Sequence, residues 1–450
     1  MAANKAALWS NERRKDTMSL ESFEELARSL IAVQSVLPGP KALARIAEAK
    51  THISPSLIHV YPLMVERAAG CMVQDVDGNI FFDAQAGVAA ASTGHCHPRI
   101  VDAMSKQAET LIHICGTDFF YPGYGELSAR LGSHADAFST AATGEAVGWQ
   151  TFLTNSGTEA VEAAIKLSRF HTRRTDIIAF RGGFHGRSYG SLSLTASKSK
   201  YRKHFGPLLC GVHHAPYGNA DFIEKELFPR TVNPDDVAAI VVEPVLGEGG
   251  YIVPDVAFLQ QLRAICDEHG IMLVFDEVQS GMGRTGRMFA AEHFGVVPDM
   301  FTLAKGLASG MPLGALVARK KVMTWPPGSH GSTCGGNPVC IASALATLDL
   351  LESGLVEAST RVGDILRDRL EVGLSKLSNV IEVRGLGLMI GVEFNTEEEA
   401  DRISQTCFQR GLLVLECGDK AIRLSPPLII TESQALVAAE IFISVAASSA

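Results

Sequence analysis

No apolar run in this chain reaches the roughly 18 residues that a membrane-spanning helix requires, so no transmembrane helix and no membrane partner are expected. The nine cysteines are scattered, odd in number and never spaced as CxxC. That usage excludes a disulfide framework and a zinc site, predicts no metal, and suits reduced thiols. There is no basic stripe, and a net charge of -9 with a pI near 5.9 argues against a nucleic-acid partner. Internal repeats and low-complexity tracts are also missing. Near the N-terminus Glu12, Asp16, Glu21, Glu24 and Glu25 interrupt any secretory apolar region and count against a transit peptide. Together these absences predict a soluble, cytoplasmic chain. What is present is ordinary globular material: 450 residues, 46% hydrophobic and 20% charged, enough for two or three domains with a large core.

Early on, Phe23, Leu26, Leu30 and Ile31 suggest a helix, which Pro38-Gly39-Pro40 ends before a second short helix over 40–50. Strands are expected at Ile58 to Val65, Cys71 to Val73 and Ile80 to Phe82, the last two joined by the Asp-Gly turn Asp75 to Asn79. A helix follows from about 98 to 111. Between 150 and 315, apolar strands alternate with helical stretches: Gln150 to Thr154, Ile177 to Phe180, Val237 to Val242, Ile271 to Phe275, Met300 to Ala304 and Leu313 to Ala318. That alternation means βαβ units and an α/β fold with a mainly parallel sheet. A long helical pattern from Gly336-Asn337-Pro338 to about 376 precedes strands near 380–394 and 411–429, with helices at 396–410 and 431–446. The expected division is an N-terminal extension (1–37), a large central domain (91–340), and a small α+β domain built from 38–90 and 341–450.

Several strands end in chemistry. Met300-Phe301-Thr302-Leu303-Ala304 runs into Lys305-Gly306, and Ile271-Met272-Leu273-Val274-Phe275 runs into Asp276-Glu277. Ligands of open α/β sheets bind at the carboxyl edge, where both charges would point. Lys305 alone reads equally as a strand-end lysine in a surface salt bridge; the alternative is an amine that forms a Schiff base with an aldehyde cofactor. Thr154-Asn155-Ser156-Gly157-Thr158-Glu159 opens a helix, and the amides of Gly157 and Thr158 suit a phosphate. A simple N-cap by Ser156 or Thr158 is the competing reading. In Phe180-Arg181-Gly182-Gly183-Phe184-His185-Gly186-Arg187, Phe184 offers a stacking face and Arg187 a fork for a carboxylate, while His185 is either a second ring contact or a packed histidine. Glu243 and Glu248 place two acids in one loop, as a switchable pair or as solvated loop charges. Gly281-Met282-Gly283-Arg284-Thr285-Gly286 matches GxGxxG, but Asp276 and Glu277 stand between strand and glycines and would repel a pyrophosphate. A carboxylate beneath a pyridine nitrogen keeps that ring protonated and electron-withdrawing. Lysine, buried acid, phosphate cradle and aromatic lid are the parts that pyridoxal 5′-phosphate requires.

The same motifs resemble the class III, or ω-, aminotransferases over about residues 38 to 430. The resemblance runs through Asp77-Gly78-Asn79, Gly94-His95-Cys96-His97-Pro98, Asn155-Ser156-Gly157-Thr158-Glu159-Ala160, Phe184-His185-Gly186-Arg187, Glu243-Pro244 and Gly247-Glu248-Gly249-Gly250. It continues through Asp276-Glu277-Val278-Gln279, Gly283-Arg284-Thr285-Gly286, Ala304-Lys305-Gly306, Ser332-Thr333, Gly336-Asn337-Pro338, Arg384-Gly385-Leu386-Gly387 and Arg423 before Pro426-Pro427. It implies an aspartate-aminotransferase-like fold, with Lys305 bonded to the cofactor and Asp276 on the ring nitrogen. Val278 would pack on the ring face opposite Phe184, with His185 and Glu243 beside it and Gln279 on the phenolic oxygen. Gly157 and Thr158 would bind the phosphate together with Thr333 of the partner subunit, which implies a homodimer with shared sites.

For substrates, the resemblance assigns Arg423 to the α-carboxylate of glutamate or 2-oxoglutarate. Glu248 becomes a gate that neutralises Arg423 when a donor lacks that carboxylate, Arg187 takes a distal carboxylate, and Ser332 joins the substrate set. The expected activity is transfer of an amino group from an ω-amine or amino acid to a 2-oxo acid, 2-oxoglutarate being favoured. Candidate donors are 4-aminobutyrate, to which the reading leans, ornithine and acetylornithine. Tyr61 to Arg67 and Ala89 to Gly94 also resemble a branch that contains racemases and epimerases. Such an enzyme needs a second acid opposite Lys305, and no residue in the sequence identifies itself as that acid.

Overall fold

The computed structural model describes residues 25, 26 and 28–449. Most of the N-terminal helix expected from Phe23 onward lies outside them. Leu26 is buried, but Leu30 is 82% exposed, and Ala32 bridges Ile80 in antiparallel fashion, so the chain is no longer helical there. The helix at Pro40–Ala49 starts where Asp77 accepts hydrogen bonds from the amides of Lys41 (3.0 Å) and Ala42 (2.8 Å).

Three antiparallel strands follow: β1 (Val65–Ala69), β2 (Met72–Asp75) and β3 (Ile80–Asp83). Asp75 Oδ1 accepts from the amides of Asp77 and Asn79 and shapes the hairpin turn. The strand expected from Ile58 does not form before Val65. Ile58 and Val60 find no sheet to bury against (69% and 40% exposed), and Pro62 brings no N–H to a ladder.

The central sheet has seven strands: β4 (Trp149–Thr154), β5 (Asp176–Phe180), β6 (Val212–Ala215), β7 (Val237–Val242), β8 (Met272–Asp276), β9 (Met300–Leu303) and β10 (Gly314–Arg319). Their order is β4-β10-β9-β8-β7-β5-β6, with β10 antiparallel to both neighbours and every other pair parallel. All six residues of β7 are buried, as expected of a strand covered on both faces. Six strands lie where the apolar runs predict them. The edge strand β6 was hidden because its sequence, Val-His-His-Ala, is half polar. Also unannounced is the long helix Pro122–Thr143, in which Gly123, Gly125 and a run of small residues blur the apolar stripe.

After Pro338 one helical path runs to Leu374, opening at 351–355 where Gly354 takes a φ of 119°. One window of it is apolar and long enough to cross a membrane, with mean hydropathy 1.7, but half of that window is buried inside the fold. Its first segment lies against the helix Pro98–Thr110 and the turn that follows β9. The C-terminal strands are β11 (Val380–Leu386), β12 (Met389–Phe394), β13 (Leu412–Leu413), β14 (Leu415–Cys417) and β15 (Ala421–Leu424). β11-β12-β15-β14 form an antiparallel sheet, whereas β13 crosses to pair in parallel with β3. Helices Glu397–Gln409 and Glu432–Ala447 begin at Thr396 and Thr431, each in a capping box.

Candidate active site

Because β10 runs antiparallel to both β4 and β9, those two strands share a direction, and β5, β7 and β8 run parallel with β9. Asn155, Arg181, Glu243, Asp276 and Lys305 therefore all emerge at one edge of the sheet. Alternation along the chain sends Asp276 and Glu277 to opposite sides. Glu277 turns into the core and accepts from the amides of Ala290 (2.9 Å) and Ala291 (2.8 Å) and from the Ser280 hydroxyl (3.0 Å). Asp276 faces the other way and is held on both oxygens. Oδ2 lies 2.7 Å from His185 Nδ1, while Oδ1 accepts from the Thr302 hydroxyl (3.0 Å) and the Val278 amide (3.1 Å). Burial alone would pull the His185 pKa down, but the hydrogen bond and charge of Asp276, with Glu243 behind them, outweigh it and the value rises. The imidazole is thus held as a donor to Asp276.

Lys305 starts the single turn Lys305–Ala308 with a φ of 44°, and the turn ends at Ser309 with a φ of 47°. Both are left-handed and strained for residues with side chains. The second is pinned by Thr93, whose amide (2.9 Å) and hydroxyl (2.7 Å) bond to the Ser309 hydroxyl. Among the described residues Lys305 Nζ has no hydrogen-bond or ion-pair partner. Burial, and then the charge of Arg423, lower its pKa from 10.5 to about 8, against the opposing pull of Glu243, Asp276 and Glu248. The surface salt bridge considered for this lysine is not formed among the described residues, and its side chain is buried.

Ser156 caps the helix Gly157–Thr172 by accepting from the Glu159 amide (3.3 Å), and Glu159 in turn holds the Asn155 amide (2.8 Å). The N-cap reading is therefore correct for Ser156. It still leaves the amides of Gly157 and Thr158 without an acceptor among the described residues. Gly157 is required for room: a Cβ there would stand 2.8 Å from Val278 Cγ1. The Thr158 hydroxyl is bonded to Ser191 (2.5 Å) and accepts from the Ser188 amide. Val278 borders that space, while Gln279 lies against Gly247. Gln279 Oε1 accepts from Tyr251 (3.0 Å). Glu243 braces the loops around it, accepting from the amides of Phe184 and Gly247 (both 2.9 Å), and burial lifts its carboxyl to about 7.

The second cluster comes from the C-terminal sheet. Arg423 on β15 is 6% exposed and donates from Nη1 to Glu248 Oε2 at 3.1 Å, while its Nε is buried without an acceptor among the described residues. Glu248 Oε1 accepts from the Tyr201 hydroxyl at 3.2 Å. Arg187 is exposed, and its Cζ lies 4.1 Å from the centre of the Tyr201 ring and 5.7 Å from that of Phe184. Of the remaining predicted residues, Ser332 accepts from Asn155 Nδ2 and the Gly335 amide (both 3.0 Å), which ties its loop to the cradle. Thr333 is exposed, and among the described residues no hydrogen bond joins it to either cluster. Thr302, Tyr251 and Tyr201 escaped sequence reasoning. A strand threonine and two tyrosines carry no local signal, and their partners lie 26, 28 and 47 positions away.

An aldehyde cofactor with a phosphate arm fits this donor set: an unpartnered amine of lowered pKa, a buried carboxylate, two free amides and a glycine that leaves space for them. The class III aminotransferase family matches residues 54–445. The acetylornithine aminotransferase of Methanopyrus kandleri is 43% identical over 377 residues, covering 83% of this chain and 92% of its own. An alanine/serine racemase of Pyrococcus horikoshii is 36% identical over 435 residues, 90% of each chain. Among solved structures, the ornithine aminotransferase of Toxoplasma gondii, crystallised with oxidised glutathione and holding PLP at partial occupancy, superposes with a TM-score of 0.80. It is 28% identical and covers 96% of this chain and 98% of its own.

Proposed function

The chain belongs to the class III aminotransferases, which depend on pyridoxal 5′-phosphate, and we propose that it moves the amino group of an ornithine-type donor to 2-oxoglutarate. The observation that carries this reading is the presence, in one site, of a Lys305 amine with no partner among the described residues and an Arg423 covered by Glu248. When bound, the cofactor supplies an electron sink for negative charge developing on the substrate carbon. Lys305 would hold it at its aldehyde carbon; once the substrate's amine takes its place there, the freed Nζ amine would carry the proton that leaves the substrate carbon. Asp276, oriented by His185 and Thr302, supplies the fixed negative charge for the ring nitrogen. Gly157 and Thr158 would hold the phosphate through their amides, Phe184 and Val278 would flank the ring, and Gln279 would serve its phenolic oxygen.

Arg423 receives the α-carboxylate of the acceptor, and Glu248 covers it when the donor presents only an amine at that end. Arg187 takes the carboxylate at the far end, and Ser332 fixes the loop beside them. The donor is assigned to the ornithine type rather than 4-aminobutyrate because relatives named acetylornithine aminotransferase are 39–43% identical to this chain over 377–386 aligned residues. The working unit is a homodimer. Thr333 is exposed and has no hydrogen-bond partner among the described residues, and Phe119 and Phe120, 59% and 108% exposed, line a cavity of about 780 Å³ that reaches Ser332. Residues 38–90 and 341–450 form the small domain against 91–340, a division favoured by the pairing of β13 with β3. Nine free cysteines favour the cytoplasm.

The test offers ornithine, acetylornithine and 4-aminobutyrate singly, with and without 2-oxoglutarate. Glutamate formed only with acceptor, and from an ornithine-type donor first, is expected. A second reading, amino-acid racemisation, is favoured by the 90% mutual coverage with the Pyrococcus racemase. Accumulation of a D-amino acid without acceptor would establish it and remove the first.

A further inference from the structure

Tyr201 lies outside every motif discussed above, yet it touches both Glu248 and Arg187. Its hydroxyl donates to Glu248 Oε1 at 3.2 Å while Arg423 Nη1 donates to Oε2 at 3.1 Å. Its ring carries the Arg187 guanidinium at 4.1 Å and meets Phe184 edge-on, with centroids 5.9 Å apart and planes at 83°. Burial, and then the charge of Glu248, raise the phenol's pKa, so the hydroxyl keeps its proton and acts as donor to an acceptor-only carboxylate. The Glu248 main chain is anchored separately, its carbonyl accepting from the Gly418 amide at 2.6 Å. With its main chain held there, Glu248 can leave Arg423 by a movement of its side chain.

A carboxylate is rigid. With one oxygen on Tyr201 and the other on Arg423, an excursion of the side chain that frees the guanidinium also carries Oε1 away from the phenol. We propose that Tyr201 is a positioning residue that latches Glu248 over Arg423, and so sets how strongly the site discriminates against substrates bearing an α-carboxylate at that end. This rests on the reading of Arg423 as the carboxylate receptor. Removing the hydroxyl while keeping the ring leaves Arg187 its stacking surface and loosens only the latch. A typical hydrogen bond, exchanged against water, is worth roughly a threefold to tenfold change in equilibrium.

The experiment measures equilibrium binding of glutarate, a dicarboxylate with nothing to react, to the purified holoenzyme and to Tyr201→Phe, Glu248→Ala, Arg423→Lys and the Tyr201→Phe/Glu248→Ala double variant. Glutarate should bind Y201F about threefold to tenfold more tightly, E248A at least as tightly, and the double variant no more tightly than E248A, because the latch acts only through Glu248. Steady-state data should agree: for Y201F the KM for 2-oxoglutarate falls and that for an ω-amine donor without an α-carboxylate rises, with kcat little changed. If E248A tightens glutarate binding and Y201F does not, the latch is refuted and the receptor reading stands. A Y201F gain that persists in the E248A background also refutes it. If E248A fails to tighten binding and R423K fails to weaken it, Arg423 is not the receptor and both ideas fall together.

Discussion

His185 Nδ1 stands 2.7 Å from Asp276 Oδ2, with both side chains buried and the remaining Asp276 oxygen taken by Thr302 and Val278. Nothing about this carboxylate is left to solvent, so its direction is fixed before any ligand arrives. Replacing His185 by Leu removes the Oδ2 donor and leaves a buried oxygen unpaired, at about 1–3 kcal/mol. His185→Leu should lower Tm by a few degrees and weaken pyridoxal 5′-phosphate binding to the cofactor-free protein by about tenfold, read by spectral titration. His185→Gln, which can still donate, should recover part of that affinity. Unchanged cofactor affinity in His185→Leu would mean that the pair serves packing alone.

The lowered pKa of Lys305 makes a prediction about pH. Below about 8 the ammonium form dominates and cannot attack an aldehyde; above it the free amine does. Recapture of pyridoxal 5′-phosphate by the cofactor-free protein should therefore accelerate as pH rises through about 8 and level off beyond. Arg423→Gln removes the second largest cause of the shift and should move the midpoint upward. Stability has the matching sign. Between about 8 and 10.5 the unfolded chain binds a proton that the folded chain has released, so this residue stabilises the fold increasingly as pH rises across that window. Lys305→Met should erase that increment in denaturant titrations of the cofactor-free protein.

Gly157 has no room for a side chain, since an added Cβ would lie 2.8 Å and 3.0 Å from the two Val278 methyls. Overpacking of this kind costs about 1–3 kcal/mol and would push the helix start away from its ligand. Gly157→Ala should bind pyridoxal 5′-phosphate about tenfold more weakly, and Gly157→Ala/Val278→Ala should regain most of the loss. A single variant with undiminished affinity would show that this floor tolerates a methyl group.

Much of the sheet was legible because buried parallel strands have one signature, a short apolar run between turn residues, and β7 is its purest case. β6 was missed because an edge strand can afford two histidines, of which His213 pairs with Asp176 (2.9 Å) and His214 bonds the Leu194 carbonyl (3.1 Å). Ile58 to Met64 was misread because an apolar run says nothing about whether a neighbouring strand exists. Lys305 and Asp276 could be found as charges ending apolar runs. Tyr201 and Thr302 could not, since nothing in their own surroundings distinguishes them from any other tyrosine or strand threonine. Arg187 was legible as a candidate, but its exposure and its stacking on Tyr201 are products of the tertiary fold.

Leu412 of β13 pairs with Phe82 of β3, roughly 330 positions earlier. Loop closure over such a span grows costly only slowly with length, but non-local pairings form late. A chain leaving the ribosome can lay down the strands that carry Asp276 and Lys305 while β13, β15 and Arg423 are still untranslated. The amine and its counter-charge are thus assembled before the element that sorts carboxylates. A chain that terminates early would keep the reactive half of the site without the half that selects what reacts.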